Sequence, residues 1–190
     1  MDVPTVVLRA EPFDGAAGSR LVADLTADLG RRYADEDEPP QCSLPPEERA
    51  ARQAAIAADE AAYAAELSPE DVAPPGGAFL VAYVGGDAVG CAGIRAHEVG
   101  VAEIKRLWVD PGARGLGVAR ALVSRLEEDA VRLGYRALVL ETGLRQPEAI
   151  ALYESLGYRR REPYGRYRDS PLSVCLERDL PAGALPQPDR

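Results

Sequence analysis

The sequence predicts an α/β fold, with strands through the middle of the chain and two helices embedded in its second half. Three observations predict it. Short runs rich in β-branched and aromatic residues follow one another from residue 78, segments of helical period lie between them, and two of those segments stop at a glycine, Gly134 and Gly157. A length of 190 residues with 46% hydrophobic and 28% charged side chains fits one globular domain.

In chain order, residues 3–10 form a β-branched run and read as a first strand. After Pro12, the spacing of Leu21, Leu25, Leu29 and Tyr33 predicts a helix. The segment 35–46 breaks the pattern with four consecutive acids and two Pro-Pro pairs, which predicts a mobile acidic loop. Residues 46–67, rich in Ala and Glu, predict a second helix, closed by Ser68-Pro69 and a Pro/Gly loop at 73–77. The runs 79–84 and 88–94, joined by Gly85-Gly86-Asp87, predict a hairpin. A strand at 102–109 comes next, and 110–117 then opens a helix whose apolar side is Val118, Leu122, Leu126, Ala130 and Leu133. A strand at 136–142, a helix at 147–156 with Pro147 in its first turn, and strands at 158–162 and 172–177 complete the order. The tail 181–190 is expected to fray.

Charge narrows the partners. The chain has 22 Lys+Arg against 31 Asp+Glu and a net charge of -9, so a non-specific nucleic-acid surface is not expected. Residues 1–100 hold 7 basic and 18 acidic side chains, whereas 101–190 hold 15 basic and 13 acidic. The second half would receive an anionic ligand, and the acidic first half would steer a cationic or amine-bearing partner. Cys42, Cys91 and Cys175 are too few and too widely spaced for a disulfide framework or zinc site, and His97 is the single histidine, so no metal is expected. With no leader-like start and no long apolar run, a cytoplasmic protein without membrane contact is expected.

The chemistry concentrates at residues 109–119. A strand leading through a Gly-containing turn into a helix presents unpaired N–H groups and a positive dipole end, which is what a phosphate requires. Arg114, Gly115, Leu116, Gly117, Val118 and Ala119 have that layout, with Arg120 adding charge. A Walker loop fails for want of Gly-Lys-Ser/Thr. A dinucleotide fingerprint finds Gly115 and Gly117 but meets Arg120 at the third glycine, and five residues separate it from Val109. The pattern Arg/Gln-x-x-Gly-x-Gly/Ala is satisfied by Arg114, Gly117 and Ala119; the same residues also read as an ordinary Gly-rich helix start.

From 78 to 180 the chain resembles the GNAT superfamily of acyl-CoA-dependent N-acetyltransferases. The resemblance rests on the run from Glu103 through Lys105, Leu107, Trp108 and Val109 to Pro111, on the Arg114 to Ala119 loop, and on Ala149, Ile150, Ala151, Leu152, Tyr153 through Gly157-Tyr158, in order and at matching spacing. It implies a mixed, mainly antiparallel sheet splayed between its fourth and fifth strands and flanked by helices. One domain, 1–180, would then comprise an acyl-CoA-binding core at 78–180 and acceptor-side helices at 1–77.

Acetyl-CoA is the implied cosubstrate. Its pantetheine arm would lie along Leu107, Trp108 and Val109, and its pyrophosphate on Gly115, Gly117, Val118, Ala119 and Arg120. Gln146 stands where many members carry an Asn that touches the cofactor. The implied reaction is direct attack of an amine, from a small molecule or peptide, on the thioester. Such an amine, with a pKa of about 10, is mostly protonated at neutral pH and needs a base. Glu103 occupies the family position for that base, Tyr153 that of the acid that protonates the departing thiolate, and many relatives form homodimers. A non-catalytic acyl-CoA sensor would keep the cradle and dispense with Glu103 and Tyr153; a dinucleotide oxidoreductase would use the glycines alone.

Overall fold

A computed structural model describes residues 5–33 and 45–181. Its elements are β1 (Val6–Ala10), α1 (Ala16–Tyr33), α2 (Pro46–Ala65), β2 (Ala78–Val84), β3 (Asp87–Glu98), β4 (Val101–Val109), α3 (Val118–Arg132), β5 (Ala137–Gly143), α4 (Pro147–Ser155), β6 (Arg159–Arg160) and β7 (Ser173–Asp179). Seven strands form one sheet in the order β1-β2-β3-β4-β5-β7-β6. Every neighbouring pair is antiparallel except β4 and β5, which run parallel. The expected elements therefore stand in the expected order, with β3 longer than its apolar run and β6 shorter. The acidic stretch from 35, Cys42 and the tail from 182 lie outside the described residues.

Local chemistry accounts for the joints. Val84 pairs with Asp87 around Gly85 and Gly86, whose φ of 62° and 96° are those of a two-residue hairpin turn. Gly134 and Gly157 also hold positive φ, and the residue after each donates back into its helix, Tyr135 to Ala130 and Tyr158 to Tyr153. Both helices thus end as the glycines predict, with otherwise unpaired carbonyls satisfied.

Period-two alternation divides the strands between two cores. Leu80 and Ala82 face a core built with Leu122, Leu126 and Ala130 of α3 and Tyr153 of α4, while Phe79 and Val81 face Leu21 and Leu25 of α1. Beyond the reach of α1, the second face is covered by Tyr164 and Tyr167 over Val139 and Cys175. Cys91 and Cys175 are buried and free, as core residues.

Candidate active site

β4 and β5 make the site by parting. They pair only from Val101–Ala137 to Ile104–Leu140, yet β4 continues to Val109 and β5 to Gly143. A bulge reorients the last residues of β4: Gly93 pairs with Lys105 but Cys91 with Trp108, so β4 carries one extra residue, and Arg106 takes a φ of 59°. The extra residue resets the alternation. Ile104, Leu107 and Val109 all face the α3 core, and Trp108 faces α1, opposite to its neighbours.

A cavity of about 400 Å³ runs from this gap to the N-terminus of α3. Leu107, Trp108 and Val109 line it from β4, Arg114, Gly115, Gly117, Val118, Ala119 and Arg120 from the turn and helix, and Gln146 from the start of α4. Leu116 alone of the residues expected to hold the cofactor does not line it, and packs against the main core instead. Gly115 and Gly117 have φ of 81° and 80°, and a Cβ at either would meet nothing within 4 Å. They are glycines for their backbone angle, and the open space beside them lies where the first N–H groups of α3 lack intrahelical partners. Small residues, free donors and a helix dipole fit a pyrophosphate.

Charge in the cavity is arranged by α1. Asp28 Oδ2 accepts from Arg114 at 3.1 Å, Arg32 Nε at 3.3 Å and the Trp108 indole at 3.4 Å. Burial alone would raise the Asp28 pKa, but Arg32 and Arg114 hold it below its usual value. Arg114 also donates through Nε to the Val109 carbonyl at 3.1 Å, so two partners orient it. Arg120 reaches Ser155 Oγ at 2.8 Å, bridging α3 and α4. Across the cleft Arg32 meets Glu148 at 2.5 Å, and Gln146 Nε2 lies 3.4 Å from the Tyr33 hydroxyl. Helix α1, expected on the acceptor side, lines this cavity too, through Leu25, Asp28, Leu29 and Arg32.

A second cavity, of about 110 Å³, meets the first at Leu107, Gln146 and Ala149. Tyr153 lines it. Burial pushes the Tyr153 hydroxyl well above the usual phenol pKa, so it is protonated at neutral pH, the state from which an acid acts. Tyr63, Glu66, Lys105, Arg106, Glu141, Arg166 and Tyr167 complete the polar wall. Lys105 Nζ lies 2.5 Å from Glu66 Oε1, and Tyr167 donates to the same oxygen at 2.8 Å. Burial would raise the Glu66 pKa, yet the Lys105 bond and charge hold it below normal. Glu141 differs: burial raises its pKa, and a 2.6 Å bond from Ser173 Oγ only partly offsets that.

Glu103 lines neither cavity. It is 1% exposed, with Oε2 held by Arg95 Nε at 2.9 Å and Oε1 by the Tyr164 hydroxyl at 2.9 Å and Lys105 at 3.1 Å. Sequence reasoning singled out Glu103 and passed over Glu141, Arg106 and Glu66. The one signal for Glu141 was phase, since it stands two residues after Val139 on β5 and so on the face that Tyr164 and Tyr167 cover. Nothing local marked Arg106, because the bulge that places it on the wall of this cavity is a register event. Arg159, Arg160 and Arg161 engage Glu177, Asp179 and Glu154 and do not line the first cavity. His97 packs against Tyr164 with ring centroids 4.7 Å apart. Among the described residues no group of three or more His, Cys, Asp or Glu could hold a metal ion, and no helix is long and apolar enough to cross a membrane.

Comparison with known proteins places this geometry. Residues 35–158 match the acetyltransferase (GNAT) family. An "IAA acetyltransferase" of Azospirillum brasilense is 43% identical over 115 residues, 60% of this chain and 75% of that protein. The N-acetylaspartate synthetase of Rattus norvegicus is 42% identical over 96 residues, which span 50% of this chain but 32% of the rat protein. A solved structure from Klebsiella pneumoniae, described as an acyl-CoA N-acyltransferase, superposes with a TM-score of 0.66 at 28% identity, covering 93% of this chain and 98% of that one. With a splayed sheet, an α3 cradle and a family match over most of its length, the chain belongs to the GNAT family and is an acetyl-CoA-dependent acyltransferase.

Proposed function

We propose that the protein moves an acetyl group from acetyl-CoA to a primary amine by direct attack. The observation that carries this reading is the junction of the two cavities: the one along the α3 cradle meets, at Leu107 and Gln146, the one that holds Tyr153 and Glu141. Acetyl-CoA supplies the activated acyl group as a thioester. The α3 N-terminus and Arg114 hold the pyrophosphate, and the free edge of β4 from Leu107 to Val109 aligns the pantetheine arm. Backbone N–H groups near the bulge donate to the thioester oxygen as charge develops there. The amine nitrogen forms a bond to the acyl carbon as the carbon–sulfur bond breaks, and the electron pair leaves on sulfur. The ammonium gives up one proton before attack, and the nitrogen loses a second after it. Tyr153 protonates the departing thiolate, so the products are an acetamide, the CoA thiol and one released proton.

Glu141 is the carboxylate best fitted to take the first of those protons. It lines the acceptor cavity without a salt-bridge partner among the described residues, and its raised pKa brings its basicity toward that of the amine. Glu103 stands at the family's base position but has both oxygens engaged, and its role in this reading is to hold Arg95 and Lys105. The rat relative is named for an acetylated amino acid, which makes amino acids one class of acceptor to screen. Isothermal titration with acetyl-CoA, followed by CoA-thiol release across a panel of amines, tests the reading. Micromolar binding with amine-dependent release is expected; binding without release for any amine would overturn it.

A further inference from the structure

We infer that the acceptor carries a carboxylate beside its amine, and that Arg106 and Arg166 recognise it. The inference deepens the acetyltransferase reading and rests on it. It departs from the acidic character of the first half of the chain, because that charge does not set the charge of the cavity. Three cationic side chains line the acceptor cavity, Lys105, Arg106 and Arg166, against two carboxylates, Glu66 and Glu141. Glu66 is already spent: Oε1 takes Lys105 and the Tyr167 hydroxyl, and Oε2 takes Arg166 at 3.1 Å. Lys105 is likewise shared between Glu66 and Glu103. A polycationic acceptor would therefore find, among the described residues, one carboxylate outside an ion pair, Glu141, among three cations.

Arg106 is the cation with capacity left. Its side chain is 2% exposed, its guanidinium lies 3.5 Å above the Tyr63 ring, and one terminal nitrogen donates to the Tyr63 carbonyl. The nearest Glu66 oxygen is 3.9 Å from another terminal nitrogen, and Nε is buried with no hydrogen-bond partner. Leaving a buried donor unpaired is costly, and a ligand that satisfies it recovers that cost. Stacking on Tyr63 occupies the guanidinium face and leaves its edge, the part that grips a carboxylate in a fixed fork. Arg166, half exposed, stands on the same wall. Glu141 offers the complementary charge for the ammonium end, so the cavity matches a zwitterion. Its volume of about 110 Å³ suits an acceptor of few heavy atoms, well below the roughly 300–1,000 Å³ of drug-sized pockets.

The test compares acceptors that differ only in the carboxylate. CoA-thiol release is measured with L-alanine, L-aspartate and L-phenylalanine, with the α-amide of each, and with spermidine and kanamycin. At least one acid is expected to exceed its amide in kcat/KM by tenfold or more. Arg106→Gln should cut that acid-to-amide ratio at least tenfold through the KM of the acid, and Arg106→Lys should restore part of it. Arg166→Gln, at an exposed position, should move the ratio the same way by a smaller factor and covers the case in which the Arg106 variants fail to fold. Acetylation of the amides, spermidine or kanamycin in preference to every acid would overturn the inference and leave the acetyltransferase reading standing. Turnover of none of the acids, or an equal loss for acid and amide in Arg106→Gln, would overturn it as well. Failure of the wild-type protein to bind acetyl-CoA would overturn both.

Discussion

The two walls of the site are built on different principles. The cofactor wall takes its cradle from one continuous stretch, 107–120, whose glycines and helix start present N–H groups irrespective of most neighbouring side chains, and α1 and α4 close it. The acceptor wall is side chains from separate places: Tyr63 and Glu66 near the end of α2, Lys105 and Arg106 on β4, Glu141 on β5, and Arg166 and Tyr167 in the loop before β7. A backbone site is set by short-range geometry and tolerates change outside its motif. A side-chain site exists only once the sheet has assembled, and each member depends on the others for charge balance. Mutations should therefore act on cofactor affinity at the first wall, and on turnover, specificity and stability at the second.

The largest effect is expected at the cradle. Gly117→Asp with Arg114→Ala puts a side chain where φ is 80° and a negative charge in the cradle proposed for the pyrophosphate. Affinity for acetyl-CoA should fall at least about 100-fold, equivalent to ~2.7 kcal/mol. Titration calorimetry reads it, with circular dichroism verifying the fold. Retained affinity would remove the cradle from the cofactor site.

Next in size is Tyr153→Phe, which should lower kcat by about 100-fold, as loss of a general acid does. Affinity for acetyl-CoA should hold, because Tyr153 lines only the acceptor cavity. A matching loss of affinity would blur the distinction between the walls.

The two candidate bases sharpen the comparison further. With Glu141 as the base, activity needs its ionised form, so kcat/KM should fall as pH drops through a pKa above the ordinary carboxylate value of about 4.3. Glu141→Gln should lower kcat/KM at neutral pH by about 10- to 100-fold and remove that acidic limb. Glu103→Gln should cost less activity, keep the limb and lower the melting temperature. The reverse pattern would return the base to Glu103.

Glu66→Ala addresses the wall as a structure. Removing one partner of a partly buried network costs about 3 kcal/mol. For a domain of this size that lowers the melting temperature by roughly 6–12 °C. Glu66 is held below its usual pKa, so its contribution is complete above the unfolded value of about 4.3 and is lost as pH falls through the folded one. The difference in melting temperature between wild type and Glu66→Ala should shrink on acidification. Smallest is Arg120→Ala at the rim, expected to weaken acetyl-CoA about 2- to 5-fold, the range of an exposed charge contact.

The same contrast between the walls separates the legible residues from the rest. The hairpin at Gly85-Gly86, the helix stops at Gly134 and Gly157, and the turn at Gly115 and Gly117 are each specified by residues within a few positions, so the chain announces them. Arg106 carries no such announcement. Its role comes from one extra residue in β4 relative to β3, a feature of pairing between strands with no local composition to mark it. Glu103 and Glu141 are both strand carboxylates in the sequence. They differ because Arg95 on β3 and Tyr164 in a distant loop converge on the first and leave the second open to the cavity.

The sequence by itself determined the order of elements, the helix ends at Gly134 and Gly157 and the glycine turn that opens α3, because hydrophobic period, glycine dihedrals and unpaired helix N–H groups are properties of adjacent residues. Only the tertiary structure decided at which residue β4 and β5 separate, which carboxylates line the acceptor cavity, and that Tyr63 and Glu66 from the acidic first half close on a cavity with more cations than anions. Those outcomes depend on which side chains from residues 63 to 167 come within a few ångströms. Electrostatics at that range depends on distance in space and on burial, neither of which is written in the spacing of residues along the chain.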